Sequence, residues 1–155
     1  MDRREGSVRR NVERLAKAGG REGYRRLAEE AARKRLEWYE RNGEGLNLRG
    51  SAVRRAYELL LIRYLGLDPE DVPVIYEDEE RIVWRSSNFC PLLEACTRTG
   101  LDTRVVCREY QEVPAQRLIE KVDPNLRFSR SYEKIRPYAS FCEEAIELGK
   151  PKATR

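Results

Sequence analysis

The sequence contains no histidine, and this absence excludes the sites that depend on an imidazole. Histidine is the side chain whose charge changes near neutral pH, and it is the commonest metal ligand. A Ser-His-Asp triad, a Cys-His pair and a His-ligated zinc are therefore ruled out. Chemistry in this chain has to come from its four cysteines, from carboxylates or tyrosines, or from a bound cofactor.

Long apolar runs are also missing. No stretch approaches the roughly 18 apolar residues of a transmembrane helix, and the polar start of the chain lacks the apolar core of a signal peptide. We therefore expect a cytoplasmic protein that has no membrane partner and keeps its thiols reduced. Arginine and glutamate are abundant and methionine occurs once, a composition compatible with a thermophilic source.

The length and the charge limit the fold and the partners. A chain of 155 residues matches one domain. Lysine and arginine total 31 and aspartate and glutamate total 27, so the net charge of +4 does not by itself indicate nucleic acid. Basic residues crowd the first quarter of the chain, interleaved with glutamates, which favours solvated helix faces. The alternative is a basic arm that docks on RNA or on a larger partner.

Apolar periodicity predicts the elements of the fold. In the first half it predicts helices over residues 7–18, 22–41 and 51–64. In the second half it predicts a β-hairpin of residues 72–76 and 81–84, helices over 91–99, 103–110 and 114–122, a strand over 126–129, and a last helix that starts at Ile135 or Tyr138 and ends at Leu148. The predicted fold class is therefore α+β.

The two halves are treated as one domain, because each alone is small. A helical half (1–66) is expected to pack on a cysteine-bearing half (67–149), which combines a small antiparallel sheet with C-terminal helices. Residues 150–155 are expected to form a frayed tail.

Cys90 is the strongest candidate for chemistry. It precedes Pro91, a residue that favours the first position of a helix, so Cys90 is the predicted N-cap. The helix dipole and the free amides at that position lower a thiol pKa and favour a nucleophile or a ligand. The alternative is a small polar cap. Glu94, one turn further, is the second catalytic candidate, and Cys96, which points away from Cys90 on an ideal helix, is assigned to the core.

Cys107 and Cys142 complete a predicted cluster with Cys90. Three thiolates from three separate elements suit zinc with an open fourth position, or an iron–sulfur cluster with one exchangeable site. The spacings differ from those of a CxxC zinc ribbon or a ferredoxin run. The alternative for Cys107 and Cys142 is burial as small apolar side chains.

A basic and aromatic set lies in and after the predicted strand 126–129. Arginine forks hold carboxylates and phosphates with two parallel hydrogen bonds, so the set predicts a site for a small anionic ligand. The alternative is a solvated, ion-paired loop. Glu143 and Glu144 are candidate bases or partners of these arginines. The ligand-binding candidates are Arg104, Arg127, Arg130, Tyr132 and Arg136, with Lys134 and Tyr138 beside them.

Short motifs in the second half resemble a known family. They are Asn88-Phe89-Cys90-Pro91, Glu94-Ala95-Cys96, Gly100, Cys107, Asp123-Pro124 and Arg127-Phe128. Over residues 72–148 the chain resembles the L-2-amino-thiazoline-4-carboxylic acid hydrolase family, and more distantly the vinyl-4-reductase (V4R) domains. The resemblance implies an enzyme that opens a cyclic thiazoline to N-carbamoyl cysteine, or a V4R-like domain that binds small molecules or cysteine-bound metal.

The resemblance also implies which residues form the site and what surrounds the last cysteine. By position it favours a site at Cys90, Cys107 and Cys142, the same three that the residues themselves suggest. It implies a strand–cysteine–strand pattern around Cys142, where the periodicity predicts a helix.

The leading hypothesis is a domain that binds a small anionic ligand beside a cysteine cluster. As an enzyme it would hydrolyse a C–N or C–S bond in a small cyclic amidine or thiazoline acid, with Cys90 as nucleophile or metal ligand. Two alternatives stay open: a non-catalytic sensor that carries cysteine-ligated zinc or an iron–sulfur cluster, and an interaction subunit that docks through its basic N-terminal helices. Oligomerisation is compatible with each of them.

Overall fold

The computed structural model describes residues 2–149 and has the α+β architecture predicted from the sequence. The tail predicted for residues 150–155 lies outside the described residues. The helices are α1 (Arg3–Ala18), α2 (Arg21–Asn42), α3 (Ala52–Tyr57), α4 (Pro91–Thr99), α5 (Thr103–Val106) and α6 (Glu112–Ile119). Wider, π-type helical segments, Glu58–Tyr64 and Cys107–Gln111, continue α3 and join α5 to α6. The strands β1 (Val74–Glu77), β2 (Arg81–Ser86), β3 (Leu126–Arg130) and β4 (Cys142–Leu148) form one antiparallel sheet in the order β1-β2-β4-β3.

Side-chain caps set several of the helix starts. The hydroxyl of Ser51 accepts a hydrogen bond from the amide of Arg54 (3.2 Å), and the carboxylate of Asp102 accepts one from the amide of Arg104 (2.8 Å). These caps satisfy amides that the first helical turn leaves unpaired, as serine and aspartate commonly do at a helix start. α1 begins earlier than the sequence suggested because Asp2 caps it.

The helices predicted over residues 103–110 and 114–122 form one continuous helical stretch. Pro114 lacks the amide that would bond the carbonyl of Tyr110, four residues earlier. The wider turns of Cys107–Gln111 lie directly before this point, and the chain passes Pro114 without a break. Cys107 and Gln111 are therefore carried on one helical element.

The last predicted helix is wrong, because residues 142–148 form β4 and the segment before it forms turns. Most apolar residues of this region fit a helical stripe, and glutamates are depleted in strands. The stripe consists of Tyr138, Phe141, Cys142, Ala145 and Leu148. β4, however, is a central strand, and arginines on the neighbouring strands pair with its glutamates, as Arg81 does with Glu147 (3.0 Å). This pairing and the full burial of Ile146 outweigh the local pattern. The family resemblance implied a strand on each side of Cys142, and the structure has a strand after this residue and turns before it.

The register of the sheet collects polar side chains at one end of its helix-covered face. Along each of the three longer strands, the inward side chains change from apolar to polar toward the same end. These inward residues are Ile82, Trp84 and Ser86 on β2, Ile146, Glu144 and Cys142 on β4, and Leu126, Phe128 and Arg130 on β3. The polar end of this face therefore brings a hydroxyl, a thiol, a carboxylate and a guanidinium together.

Two clusters of buried side chains hold the helices and the sheet. The first joins α3, Glu58–Tyr64 and α6 to the apolar part of the sheet, with Trp84 and Ile146 at its centre. The second joins α1, α2 and α4 to the stretch that begins with α5. α1 packs on α4 and α2 packs on α6, so helices of the first half contact helices of the second half.

The basic residues of α1 and α2 largely face solvent, and several pair with acids of the same chain. Arg9 pairs with Glu5 (3.5 Å) within α1, and Arg25 reaches Glu109 (2.7 Å) across the helices. Such pairs agree with the solvated-face interpretation and contribute little stability individually. Within residues 2–149, none of the helices combines the length and the apolar composition that crossing a bilayer requires.

Because residues 142–148 form a strand, substitutions on its buried face should destabilise the protein more than substitutions on its exposed face. Ile146 is fully buried in β4, although it lies outside the helical stripe that the periodicity suggested. We expect Ile146→Ala to lower the free energy of unfolding by about 2–4 kcal/mol, because it leaves a cavity in the core. Glu147→Ala should cost less than about 1 kcal/mol, because its ion pair is half exposed. Urea denaturation measures both, and equally small losses would contradict the strand.

Candidate functional site

A cavity of about 390 Å³ lies at the polar end of the sheet, where the two buried clusters meet. Leu61 of the first cluster and Leu92 of the second both line it. Its volume is within the range of small-molecule binding sites. The polar and thiol-bearing residues of its wall are Asn11, Arg35, Ser86, Asn88, Cys90, Thr103, Cys107, Gln111, Arg130, Arg136, Cys142 and Glu144.

Three cysteines reach this cavity. Cys90, Cys107 and Cys142, which the sequence analysis grouped as one site, all line it although they belong to three separate elements. Cys96 packs in the second buried cluster and is not part of the wall, in keeping with its assignment to the core. All four cysteines are free thiols.

Burial decides the ionisation of two of these thiols. The sulfur of Cys90 caps α4 and accepts a hydrogen bond from the amide of Leu93 (3.4 Å), as the sequence predicted. Burial nevertheless raises the pKa of Cys90, outweighing that hydrogen bond and the charge of Arg136, which both lower it. Burial also raises the pKa of Cys107 to about 12, although Arg130 acts in the opposite direction. The lowered thiol pKa expected at this helix start does not occur.

Arg136 holds the third cysteine in place. Its backbone amide and its Nε both donate to the sulfur of Cys142, at 3.4 and 3.3 Å. Its Nη1 donates to the carbonyl oxygen of Asn88 (2.7 Å), and its own carbonyl oxygen accepts from the hydroxyl of Thr103 (2.7 Å). Arg136 therefore ties β4, the loop before α4 and the start of α5 together at the cavity wall.

A largely buried ion pair forms another part of the wall. Nη2 of Arg130 lies 3.0 Å from Oε2 of Glu144, and the other carboxylate oxygen accepts from the hydroxyl of Ser86 (2.9 Å). The two side chains are 12% and 9% exposed. Burial is the largest single influence and acts to lower the pKa of Arg130, but the charge of Glu144, together with the nearby Cys107, Tyr132 and Cys142, outweighs it and the pKa is raised. Nη1 of Arg130 is buried and has no hydrogen-bond partner in the described part of the chain, so it can donate to a ligand.

Arg35 is a cavity residue that the sequence analysis missed. It is 8% exposed, and its polar contacts are a long hydrogen bond to Oε1 of Gln111 (3.5 Å) and a cation–π contact with the ring of Tyr64 (4.9 Å). No carboxylate of residues 2–149 forms an ion pair with it. Burial lowers the pKa of Arg35, because the charged form has lost water without gaining an acid.

A signal in the sequence could have identified Arg35. It was counted with the solvated basic residues of the second helix. It lies, however, on the row Tyr24, Ala28 and Ala32, which recurs every four residues and is buried throughout. Arg35 follows three residues later on the same face. A charged residue that continues an apolar row is a candidate for a buried functional group.

The cavity wall carries more positive than negative charge. Among the described residues that line it, the arginines are Arg35, Arg130 and Arg136, and the single acid is Glu144. The remaining polar side chains of the wall, such as those of Asn88, Thr103 and Gln111, are neutral hydrogen-bond donors and acceptors. The arrangement can hold an anion and donate hydrogen bonds to it.

The other predicted ligand-binding residues lie outside the cavity wall. Arg104 is exposed and pairs with Asp102 (3.0 Å), and Arg127 is on the outward face of β3. The hydroxyl of Tyr132 donates to the carboxylate of Glu112. Of the five residues proposed to bind the ligand, the structure therefore brings two, Arg130 and Arg136, to the cavity.

The neighbouring candidates are also placed elsewhere. Glu94, the second catalytic candidate, is not part of the cavity wall, although Cys90 is. Lys134 pairs with Glu143 (3.6 Å), and Tyr138 is exposed. Lys134 therefore fits the solvated, ion-paired loop that was the alternative interpretation of the basic set.

A metal site at the cavity cysteines finds no support in the geometry of the described residues. Within residues 2–149, no three cysteine, aspartate or glutamate side chains are grouped so that they could hold a metal ion. Zinc or an iron–sulfur cluster on Cys90, Cys107 and Cys142 therefore stays a prediction from the sequence, and no chemical step is derived through it.

Comparisons with known proteins add no relative. No protein-family model, no curated protein and no solved structure matches the chain. The resemblance to the thiazoline hydrolase and V4R families therefore stays a prediction, and the site has to be interpreted from its own geometry.

The raised thiol pKa values predict slow alkylation. With a pKa of about 12, Cys107 carries about a thousandfold less thiolate near pH 8 than an ordinary cysteine. Its labelling by iodoacetamide, followed by mass spectrometry of peptides, should therefore be slow and should rise about tenfold per pH unit from pH 8 to 10. The urea-unfolded chain, in which all four cysteines react at ordinary rates, is the control. A labelling rate that levels off below pH 9 would contradict the raised pKa.

Arg35→Met is predicted to leave the ligand-free protein as stable as the native chain or more stable, by up to about 2 kcal/mol. The substitution removes a buried charge that has no acidic partner in the described structure, and methionine fills a similar volume. Loss of the cation–π contact with Tyr64 offsets part of this gain.

Urea denaturation measures the change in the free energy of unfolding. Arg33→Met, two residues earlier on the exposed side of α2, is the matched control, and its effect should lie within about 0.5 kcal/mol of zero. If Arg35→Met lowers the free energy of unfolding by more than about 2 kcal/mol, Arg35 stabilises the fold and is not an unneutralised charge available to an anion.

Proposed function

We propose that this protein binds a small organic anion, most simply a carboxylate, in the cavity beside its three cysteines. The observation that carries the proposal is buried positive charge whose polar partners are incomplete. Arg35 has no ion pair within residues 2–149, and Nη1 of Arg130 has no hydrogen-bond partner there. A bound anion supplies the negative charge that Arg35 lacks and a hydrogen-bond acceptor for Nη1 of Arg130.

The electrostatic free energy of the buried arginines favours an anion in the cavity. Burying an uncompensated charge costs several kcal/mol, so the free cavity is less favourable than the occupied one. A guanidinium offers two parallel donors that match a carboxylate, and their attraction is stronger away from bulk water. Because burial lowers the pKa of Arg35, an anion beside it restores the stability of its charged form.

The thiols support binding more directly than nucleophilic catalysis. A cysteine attacks as a thiolate, and burial raises the pKa of both Cys90 and Cys107. Glu94, the candidate base, is outside the cavity wall. Hydrolysis of a cyclic amidine or thiazoline acid with Cys90 as nucleophile remains a narrower proposal, which needs a substrate that activates this thiol.

The proposal includes a reducing, cytoplasmic compartment. Four free thiols, three of them at a binding cavity, suit an environment that keeps cysteine reduced. Docking on RNA or a larger partner through α1 and α2 is the weaker alternative, because acids of the same chain already pair with several of the basic residues there, such as Arg9 and Arg25.

Arg130→Gln is expected to weaken anion binding by tenfold or more, because it removes charge-assisted hydrogen bonds. Binding is measured by calorimetry with propionate, succinate, benzoate and inorganic phosphate as probes. At saturating concentrations the probes that bind should also raise the thermal unfolding midpoint. Arg127→Gln, on the same strand but facing outward, is the matched control and should bind as the native protein does.

Loss of Arg130 leaves Glu144 without its partner and can destabilise the fold. Arg35→Met is therefore tested in parallel, since it removes a cavity charge without orphaning an acid. The proposal fails if none of the four probes binds, or if Arg127→Gln weakens binding as much as Arg130→Gln does.

A further inference from the structure

The apolar residues of the cavity wall are not all buried. Leu65 is 44% exposed and Phe89 is 36% exposed, and both line the cavity. Arg35 and Arg130, in contrast, are almost completely buried. The cavity therefore has apolar side chains at its opening and charge inside, the reverse of a site that takes a small polar ion directly from water.

The backbone places the leucines of this opening. Gly66 has a φ of +67°, a left-handed conformation that a glycine adopts without strain. The chain reverses there, and the amide of Leu67 donates to the carbonyl oxygen of Leu61 (3.0 Å). As a result Leu61, Leu65 and Leu67 all line the same cavity. The helix end is shaped to present three leucines to one space.

The opposite side of the opening is also fixed. The guanidinium of Arg4, at the start of α1, stacks on the ring of Phe89 (4.7 Å). Leu92 and Leu93, in the first turns of α4, continue the apolar wall inward from there. An apolar lining thus runs from both sides of the opening toward the buried arginines.

We infer that the ligand is amphipathic and binds with its anionic end inward. Its carboxylate meets Arg35 and Arg130, and an apolar arm lies along the leucines and reaches the opening between Leu65 and Phe89. The inference rests on the proposed function and extends it by naming the class of anion. A small polar acid such as acetate would leave the leucines facing water, whereas an apolar arm covers them.

The test is a series of straight-chain carboxylates: acetate, butyrate, hexanoate and octanoate. Calorimetric dissociation constants should fall about three- to fourfold for each added methylene, the gain expected for burying that group. Leu65→Ser should weaken octanoate binding at least threefold and leave acetate binding unchanged. Ile75→Ser removes an equally exposed side chain that does not line the cavity, and it should alter neither.

The outcomes separate this inference from the function on which it rests. If all four acids bind with the same dissociation constant, the apolar arm is overturned while anion binding stands. If none binds, both proposals fail. Heptylamine, which has the same apolar arm as octanoate and a cationic end, should not compete with octanoate. Equal binding of the amine would show partition into an apolar space and overturn the inward orientation of the anionic end.

Discussion

Buried positive charge is the constraint on which the candidate site depends. A guanidinium that has left water must find an acid or a set of acceptors, because an isolated charge in the interior costs several kcal/mol. Arg130 meets this requirement through Glu144, and the register of β3 and β4 places the two side by side. Arg35 does not meet it within residues 2–149. Arg130 is therefore neutralised within the fold and keeps Nη1 available to a ligand, whereas Arg35 depends on a ligand for its counter-charge.

The two buried clusters explain why a cavity exists at this place. Each cluster packs its own helices, and the polar end of the sheet belongs to neither. Side chains such as Ser86, Cys142 and Glu144 cannot fill space between leucines without leaving polar groups unsatisfied, so they form a wall instead of a core. Arg136 then links the elements around this wall through four hydrogen bonds.

The local features of the fold could be predicted from the sequence, because they depend on neighbouring residues. Ser51, Cys90 and Asp102 cap helices as their positions indicated. β4 could not be predicted in this way, since basic partners of its glutamates lie on other strands, such as Arg81 on β2, which is 66 residues from Glu147 in the chain. A central strand is stabilised by both neighbours, and its own sequence carries only part of that information.

The candidate site, like the fold, could be predicted only in part from the sequence. The sequence grouped Cys90, Cys107 and Cys142, and the structure places all three at one cavity. It did not identify Arg35, whose burial depends on how α2 packs. Nor could spacing alone reveal that desolvation at Cys90 outweighs the amide hydrogen bonds and the charge of Arg136, which lower its pKa.

The position of β4 has a consequence for synthesis. β4 is the last strand along residues 2–149, yet it lies between β2 and β3 in the sheet. Until residue 148 has left the ribosome, β2 and β3 each expose an unpaired edge, and the thiol and carboxylate that β4 contributes are missing. The nascent chain can therefore form its helices early, but the sheet and the binding pocket assemble only after translation has passed this strand.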